Sequence, residues 1–168
     1  MIEVAPNLFV GNALDYENHV RLIDTPKPGW AVVHAAKEPW HRAALGYTGR
    51  GAPKDHEEYL FAFRGDRLCL NLVDVDNVDY VNKKVVEAGI SFIGQQIADS
   101  KKVLVHCNQG QSRGPGLALL YLGATEGMWA SMHPADAMLR FTELYPMFSP
   151  ANGMAEYVLK NWPKVEAA

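Results

Sequence analysis

Cysteine is scarce in this sequence: only Cys69 and Cys107 occur in 168 residues. Two cysteines exclude a disulfide framework and lead us to expect free thiols in a reducing, cytoplasmic setting. Long apolar runs are also missing, which excludes a helical membrane span and leaves no membrane partner to expect. The opening segment MIEVAPNLFVGN has neither a basic start nor a long apolar stretch, so no signal peptide is expected. Charge of one sign is lacking too. A formal net charge of -3 gives no pull toward nucleic acid, and any anion site must be built locally from backbone N–H groups and a few cations. No repeat or low-complexity tract interrupts the chain. At this length and 48% hydrophobic residues, the expectation is one compact domain over residues 1–168, monomeric, with a sizeable core.

What is present alternates between short apolar strands and helices. Val4, Leu8 and Val10 ahead of Gly11-Asn12 predict a short strand, and residues 15–24 a weakly apolar helix capped by Asp15. Trp30 to Ala35 and Leu68 to Val73 read as buried strands. Between them, residues 37–65 form a long polar stretch punctuated by Pro39, Gly46, Gly49, Gly51 and Pro53. An irregular stretch of this length inside one domain is more often functional than idle; its alternatives are a mobile surface excursion or a short helix around HEEYLFAF. Helical spacing predicts helices over 79–97, 117–127, 134–144 and 148–162, with a buried strand KVLVH at 102–106. The pattern implies an α/β fold: a mainly parallel sheet with helices on both faces.

The chemistry concentrates in VLVHCNQGQSRGPGLALL, residues 103–120. A buried strand delivers Cys107 to its carboxyl end, a polar loop follows, and Arg113 stands where a helix begins. Successive loop N–H groups from Asn108, Gln109, Gly110, Gln111 and Ser112 suit a phosphate-binding nest, to which the helix start adds its own free donors. Arg113 offers a planar fork matching two phosphate oxygens. The same positive surroundings favour the thiolate, the nucleophilic form of cysteine. Gly110 lets the loop curl where a side chain would obstruct it.

His106-Cys107 through Arg113 resembles the H-C-x-x-G-x-x-R signature of the protein tyrosine phosphatase superfamily, and most of all that of its small dual-specificity phosphatases. APNLFVGNALD, RLCLNLVD, ADAMLRFTELYP and SPANG resemble further segments of that family. The resemblance implies a cysteine-phosphatase fold with a sheet of four or five strands, and hydrolysis of phosphate monoesters through a phosphocysteine without metal or cofactor. His106 would orient the loop. The family places Ser or Thr after the Arg, to help the cysteine leave; here Gly114 and Pro115 follow, which predicts a slow second step unless Ser112 substitutes.

A general acid must protonate the leaving group. In LVDVDNVDY, Asp79 reads as a helix cap. Strand register favours Asp74 as the acid, whereas counting back from Cys107 favours Asp76. Trp40, His41, Tyr47 and Tyr59 either wall the pocket or pack beneath the long loop. His34 and His41 have no carboxylate or thiol at ligand spacing, so no metal is expected. The neutral side chains of Asn108, Gln109 and Gln111 favour a phosphoprotein or small phosphomonoester. More highly charged phosphoinositides, inositol phosphates or RNA 5′-phosphates would call for additional cations. A phosphate-binding module without turnover is the reading that Gly114 supports.

Overall fold

A computed structural model describes residues 1–163. The chain opens with an antiparallel pair, β1 (Ile2–Ala5) and β2 (Leu8–Gly11). Helix α1 (Ala13–Asp15) runs into a wide helical turn over Tyr16–Val20 and a small hairpin, β3 (Arg21–Leu22) and β4 (Thr25–Pro26). Strand β5 (Trp30–His34) leads to a turn over Lys37–His41 and α2 (Arg42–Leu45). A second hairpin, β6 (Phe61–Arg64) and β7 (Arg67–Leu70), precedes α3 (Lys83–Ala98). Strand β8 (Lys102–His106), then α4 (Arg113–Ala124), α5 (Pro134–Leu144) and α6 (Asn152–Asn161), complete the described chain.

The main sheet has six strands in the order β1-β2-β8-β5-β7-β6. Its inner four strands are parallel, and β1 and β6 pair antiparallel at the edges. This corrects the expected four or five strands. The edge strands IEVA and FAFR each bury one residue, Val4 and Ala62, so they lack the continuous apolar run of an inner strand. Strand β6 also takes the place of the helix considered around HEEYLFAF.

Alternation along the inner strands sorts the core into two layers. Leu8, Val10, Ala31, Val33, Leu68, Leu70, Val103 and Val105 face the helical side and pack with α3, α4 and α6. Val32 and Leu104 face the other way, against Tyr16 and Val20. That second face is covered by the short helical segments over Tyr16–Val20, Lys37–His41 and Arg42–Leu45, while the longer α3, α4 and α6 lie on the first.

Caps explain the remaining differences. Asn12, not Asp15, starts α1: its side chain accepts from the Asp15 N–H while the Asp15 carboxylate accepts from the Asn12 N–H, a reciprocal capping box. The predicted 15–24 helix therefore starts earlier and gives way to the β3–β4 hairpin. Asn82, not Asp79, caps α3 by accepting from the N–H groups of Lys84 and Val85, and Asp79 lies in a preceding turn, Val78–Tyr80.

Candidate active site

Strand β8 ends at His106, placing Cys107 at the carboxyl edge of the sheet, between the inner strands and the start of α4. The Cys107 side chain is 2% exposed. From here the carbonyls of the loop are drawn outward. The Asn108 carbonyl accepts from the Ala13 N–H (3.1 Å), and that of Gln111 from the Ser149 N–H (2.8 Å). The Gly110 carbonyl accepts from the Tyr145 hydroxyl (2.7 Å). In a trans peptide the N–H of the next residue points opposite to the carbonyl. The N–H groups of Gln109, Gln111 and Ser112 are thereby turned to the inner side of the loop. Among the described residues, no loop N–H from Asn108 to Ser112 has a protein acceptor. Gly110 closes the curl at φ 71°, and a Cβ there would come within 2.8 Å of the Gly11 carbonyl oxygen.

Helix α4 continues the same positive surface. Its first internal bond runs from the Gly116 N–H to the Ser112 carbonyl (2.8 Å), leaving the first-turn donors free. Arg113 is braced from two sides, donating from Nη1 to the Leu72 carbonyl (3.1 Å) and from Nη2 to Asn108 Oδ1 (2.8 Å). Its Nε is buried without a protein partner. Asn108 is itself held by donation from Nδ2 to the Glu38 carbonyl (3.0 Å).

Asp74 and Asp76 part company in the structure. Asp74 joins Cys107, Asn108, Gln109, Gln111, Ser112 and Arg113 around a cleft of about 470 Å³, whereas Asp76 lies outside its lining. The Ser112 hydroxyl donates to Asp74 Oδ1 (2.8 Å) and accepts from the Ala151 N–H (3.0 Å). Its only proton is thus committed to the carboxylate. The acid-bearing segment is also secured one residue on, where the Val75 carbonyl accepts from the Gly153 N–H (2.9 Å).

Beneath the loop lies a fully buried pair, His34 and His106. Their rings meet at 2.7 Å (Nδ1 to Nε2), and His106 Nδ1 lies 3.0 Å from the Cys107 carbonyl. Trp40 stacks on His34 with ring centres 5.2 Å apart, and Tyr16 stacks on His106 at 5.3 Å. Burial, then His106 and Arg67, drive the His34 pKa well below its ordinary value. Burial likewise lowers that of His106 to about 4, against the opposing bond to the Cys107 carbonyl.

None of the four residues weighed as pocket walls lines the cleft. Trp40 packs under the loop, and His41 is tied to the Tyr47 hydroxyl (3.1 Å) and the Glu58 carbonyl (2.9 Å). The far wall is instead Ser149, Pro150 and Ala151, whose only sequence signal is the SPANG turn. His34 was likewise missed as a partner of His106. Its signal is that WAVVH and KVLVH both end in His and pair in register, His34 opposite His106. Among the described residues, no three His, Cys, Asp or Glu side chains converge as a metal site.

A parallel-strand end bearing a cysteine, a loop with inward amides and an arginine at the next helix start thus come together at the carboxyl edge of one α/β sheet. No family model matches the chain, and no curated protein matches it either. The likeness to solved structures is at the level of fold alone, at 20% identity or below in the three that follow. The structure of DUSP15 superposes with a TM-score of 0.60 at 18% identity, covering 95% of this chain and 85% of that one. The human tyrosine phosphatase-like serine/threonine/tyrosine-interacting protein gives 0.59 at 20% identity, covering 95% and 93%. The Yvh1 phosphatase domain from Chaetomium thermophilum gives 0.59 at 17% identity, covering 96% and 93%.

Proposed function

We propose that this chain is a cysteine-dependent hydrolase of phosphate monoesters. The observation that carries this reading is the loop between Cys107 and Arg113, whose carbonyls are tied outward and whose amides are left for an anion. The Cys107 thiolate attacks phosphorus as the ester P–O bond breaks, and Asp74 gives its proton to the departing oxygen. The Ser112 hydroxyl already occupies Asp74 Oδ1, so the acid proton resides on Oδ2. Arg113 and the loop amides hold the phosphoryl oxygens through the charge redistribution of the transition state. Water then attacks phosphorus, Asp74 takes its proton, and the S–P bond breaks to return the thiolate.

The neutral side chains of Asn108, Gln109 and Gln111 around the cleft favour a phosphorylated protein or a small monoester over polyphosphorylated ligands. Among the described residues no helix is long and apolar enough to cross a membrane. A cytoplasmic location fits the two free thiols.

A second reading, phosphate binding without turnover, rests on Gly114, which has no hydroxyl to help the thiolate leave. One experiment separates the two. Cys107→Ser should abolish release of phenol from an aryl phosphate while inorganic phosphate still binds, and acid quenching of the wild type should trap a phosphocysteine. Wild-type protein that binds phosphate but never releases phenol would establish the binding module.

A further inference from the structure

The sheet's second face carries a pocket of about 440 Å³ that shares no residue with the Cys107 cleft. Its floor is built by the edge hairpin: Arg64 and Arg67 stand directly opposite each other in register, with Cys69 beside them. Like charges at facing positions repel and need compensation. Arg64 has it, donating from Nη1 and Nη2 to the Glu58 carboxylate (2.7 and 3.0 Å). Arg67 does not. Among the described residues no carboxylate pairs with it, and its Nε is buried without a protein partner. The side walls are Tyr16, Pro39 and Trp40. Glu17 and Asp24 stand at the outer lining, both engaged by Arg21 at 2.7 and 3.8 Å.

We propose that this pocket binds a small monocarboxylate with a flat apolar body, its carboxylate on the Arg67 guanidinium. The fork of a guanidinium matches the two oxygens of a carboxylate. The Tyr16 ring lies parallel to His106 and the Trp40 ring upright to it, so the two form an aromatic corner that suits a small flat ligand body lying on one ring with its edge to the other. Arg21 and Arg64 are already paired with carboxylates, so Arg67 is left to balance a single negative charge, which is why a monoanion is a better fit than a doubly charged phosphate. The pocket's volume lies within the range of small-ligand sites. The site sits one layer of side chains behind the phosphate loop, because Tyr16 and Trp40 also flank His106, with ring centres 5.3 and 4.6 Å away.

The test is a titration of the full chain with benzoate, followed by backbone amide NMR, in the absence and presence of saturating inorganic phosphate. The expected result is a saturable response centred on Tyr16, Trp40, Arg67 and Cys69 that phosphate does not displace. Arg67→Gln should weaken benzoate binding roughly tenfold or more, the loss of one charge-assisted pair. Ala44→Phe, which adds bulk at a half-buried position of the lining and keeps the arginine, should weaken it as well. Three results would each overturn the proposal: no saturable response, a response confined to residues 108–113 that phosphate abolishes, or unchanged affinity in either variant. Tighter binding of inorganic phosphate than of benzoate at Arg67 would overturn the ligand class. None of these readouts depends on turnover at Cys107.

Discussion

His34 Nδ1 lies 2.7 Å from His106 Nε2, and this contact fixes the tautomer of both rings. The Cys107 carbonyl can only accept, so His106 Nδ1 carries a proton and donates to it. With both rings neutral, His106 Nε2 is then an acceptor and His34 Nδ1 its donor. His34 Nε2 is left as a bare lone pair, in accord with its being buried without a partner. The peptide that leads into the phosphate loop is therefore held by a relay from one strand to the next.

Removing the donor should loosen that peptide. His34→Phe leaves the buried acceptor of His106 unpaired, at a cost of about 1–3 kcal/mol. Urea unfolding should show the loss. Under the proposed activity, kcat for an aryl phosphate should fall while KM changes little. His34→Gln, whose amide can donate, should recover part of both. If His34→Phe matches the wild type in stability and kcat, the relay has no positioning role.

The same pair predicts acid sensitivity. Both imidazoles are held neutral in the fold, His106 down to about pH 4, whereas an unfolded histidine protonates near its ordinary value of 6.5. Between those limits the unfolded chain binds more protons, so stability is fully present above 6.5 and is lost as pH falls toward 4. For His106 alone the loss is on the order of 3 kcal/mol. Urea midpoints measured across this window should decline steeply in the wild type and less steeply in His34→Phe. Equal slopes would remove His34 from the account.

Much of this site was legible in the sequence, and the reasons are local. Strand, cysteine, loop glycine and arginine are contiguous, so Cys107, Gly110 and Arg113 needed no tertiary information. The inner strands were legible because burial on both faces leaves unbroken apolar runs such as VLV. What spacing alone could not resolve depends on distant contacts. That Asp74 meets the loop at all depends on the Ser112 hydroxyl, 38 residues further along the chain than Asp74. The His34 relay required knowing that β5 and β8 are neighbours.

The choice of acid can be measured directly. Under the proposed activity, Asp74→Asn should lower turnover of substrates with poor leaving groups by roughly a hundredfold or more, and hardly affect those with good ones. Asp76 lies outside the cleft lining, so Asp76→Asn should leave both nearly unchanged. A leaving-group dependence appearing only in Asp76→Asn would reverse the assignment.

Gly114 carries a different prediction in the structure than in the sequence. A helix start tolerates serine by propensity, and a restored hydroxyl is expected to speed breakdown of the phosphocysteine. Yet a Cβ at this position would stand 3.0 Å from the His106 carbonyl carbon and 3.1 Å from the Cys107 nitrogen, both backbone atoms. Gly114→Ser and Gly114→Ala should therefore both destabilise the fold, by about 1–3 kcal/mol. Neither should raise the steady rate. A faster steady rate in the serine variant alone, with unchanged unfolding, would show that the helix shifts to admit the side chain.

The segment from Ser149 to Gly153 holds both sides of the cleft at once. It bonds to the loop after Cys107 at Gln111 and Ser112 and to the segment that carries Asp74 at Val75. A Cβ on Gly153 would lie only 2.3 Å from the Val75 oxygen, so backbone meets backbone there with nothing between. Cys107 and Asp74 are thus spaced like the jaws of a caliper locked at one setting. Under the proposed activity, a substrate would meet an aperture fixed before it arrives, and discrimination would rest on the width of the phosphoester that fits between the jaws.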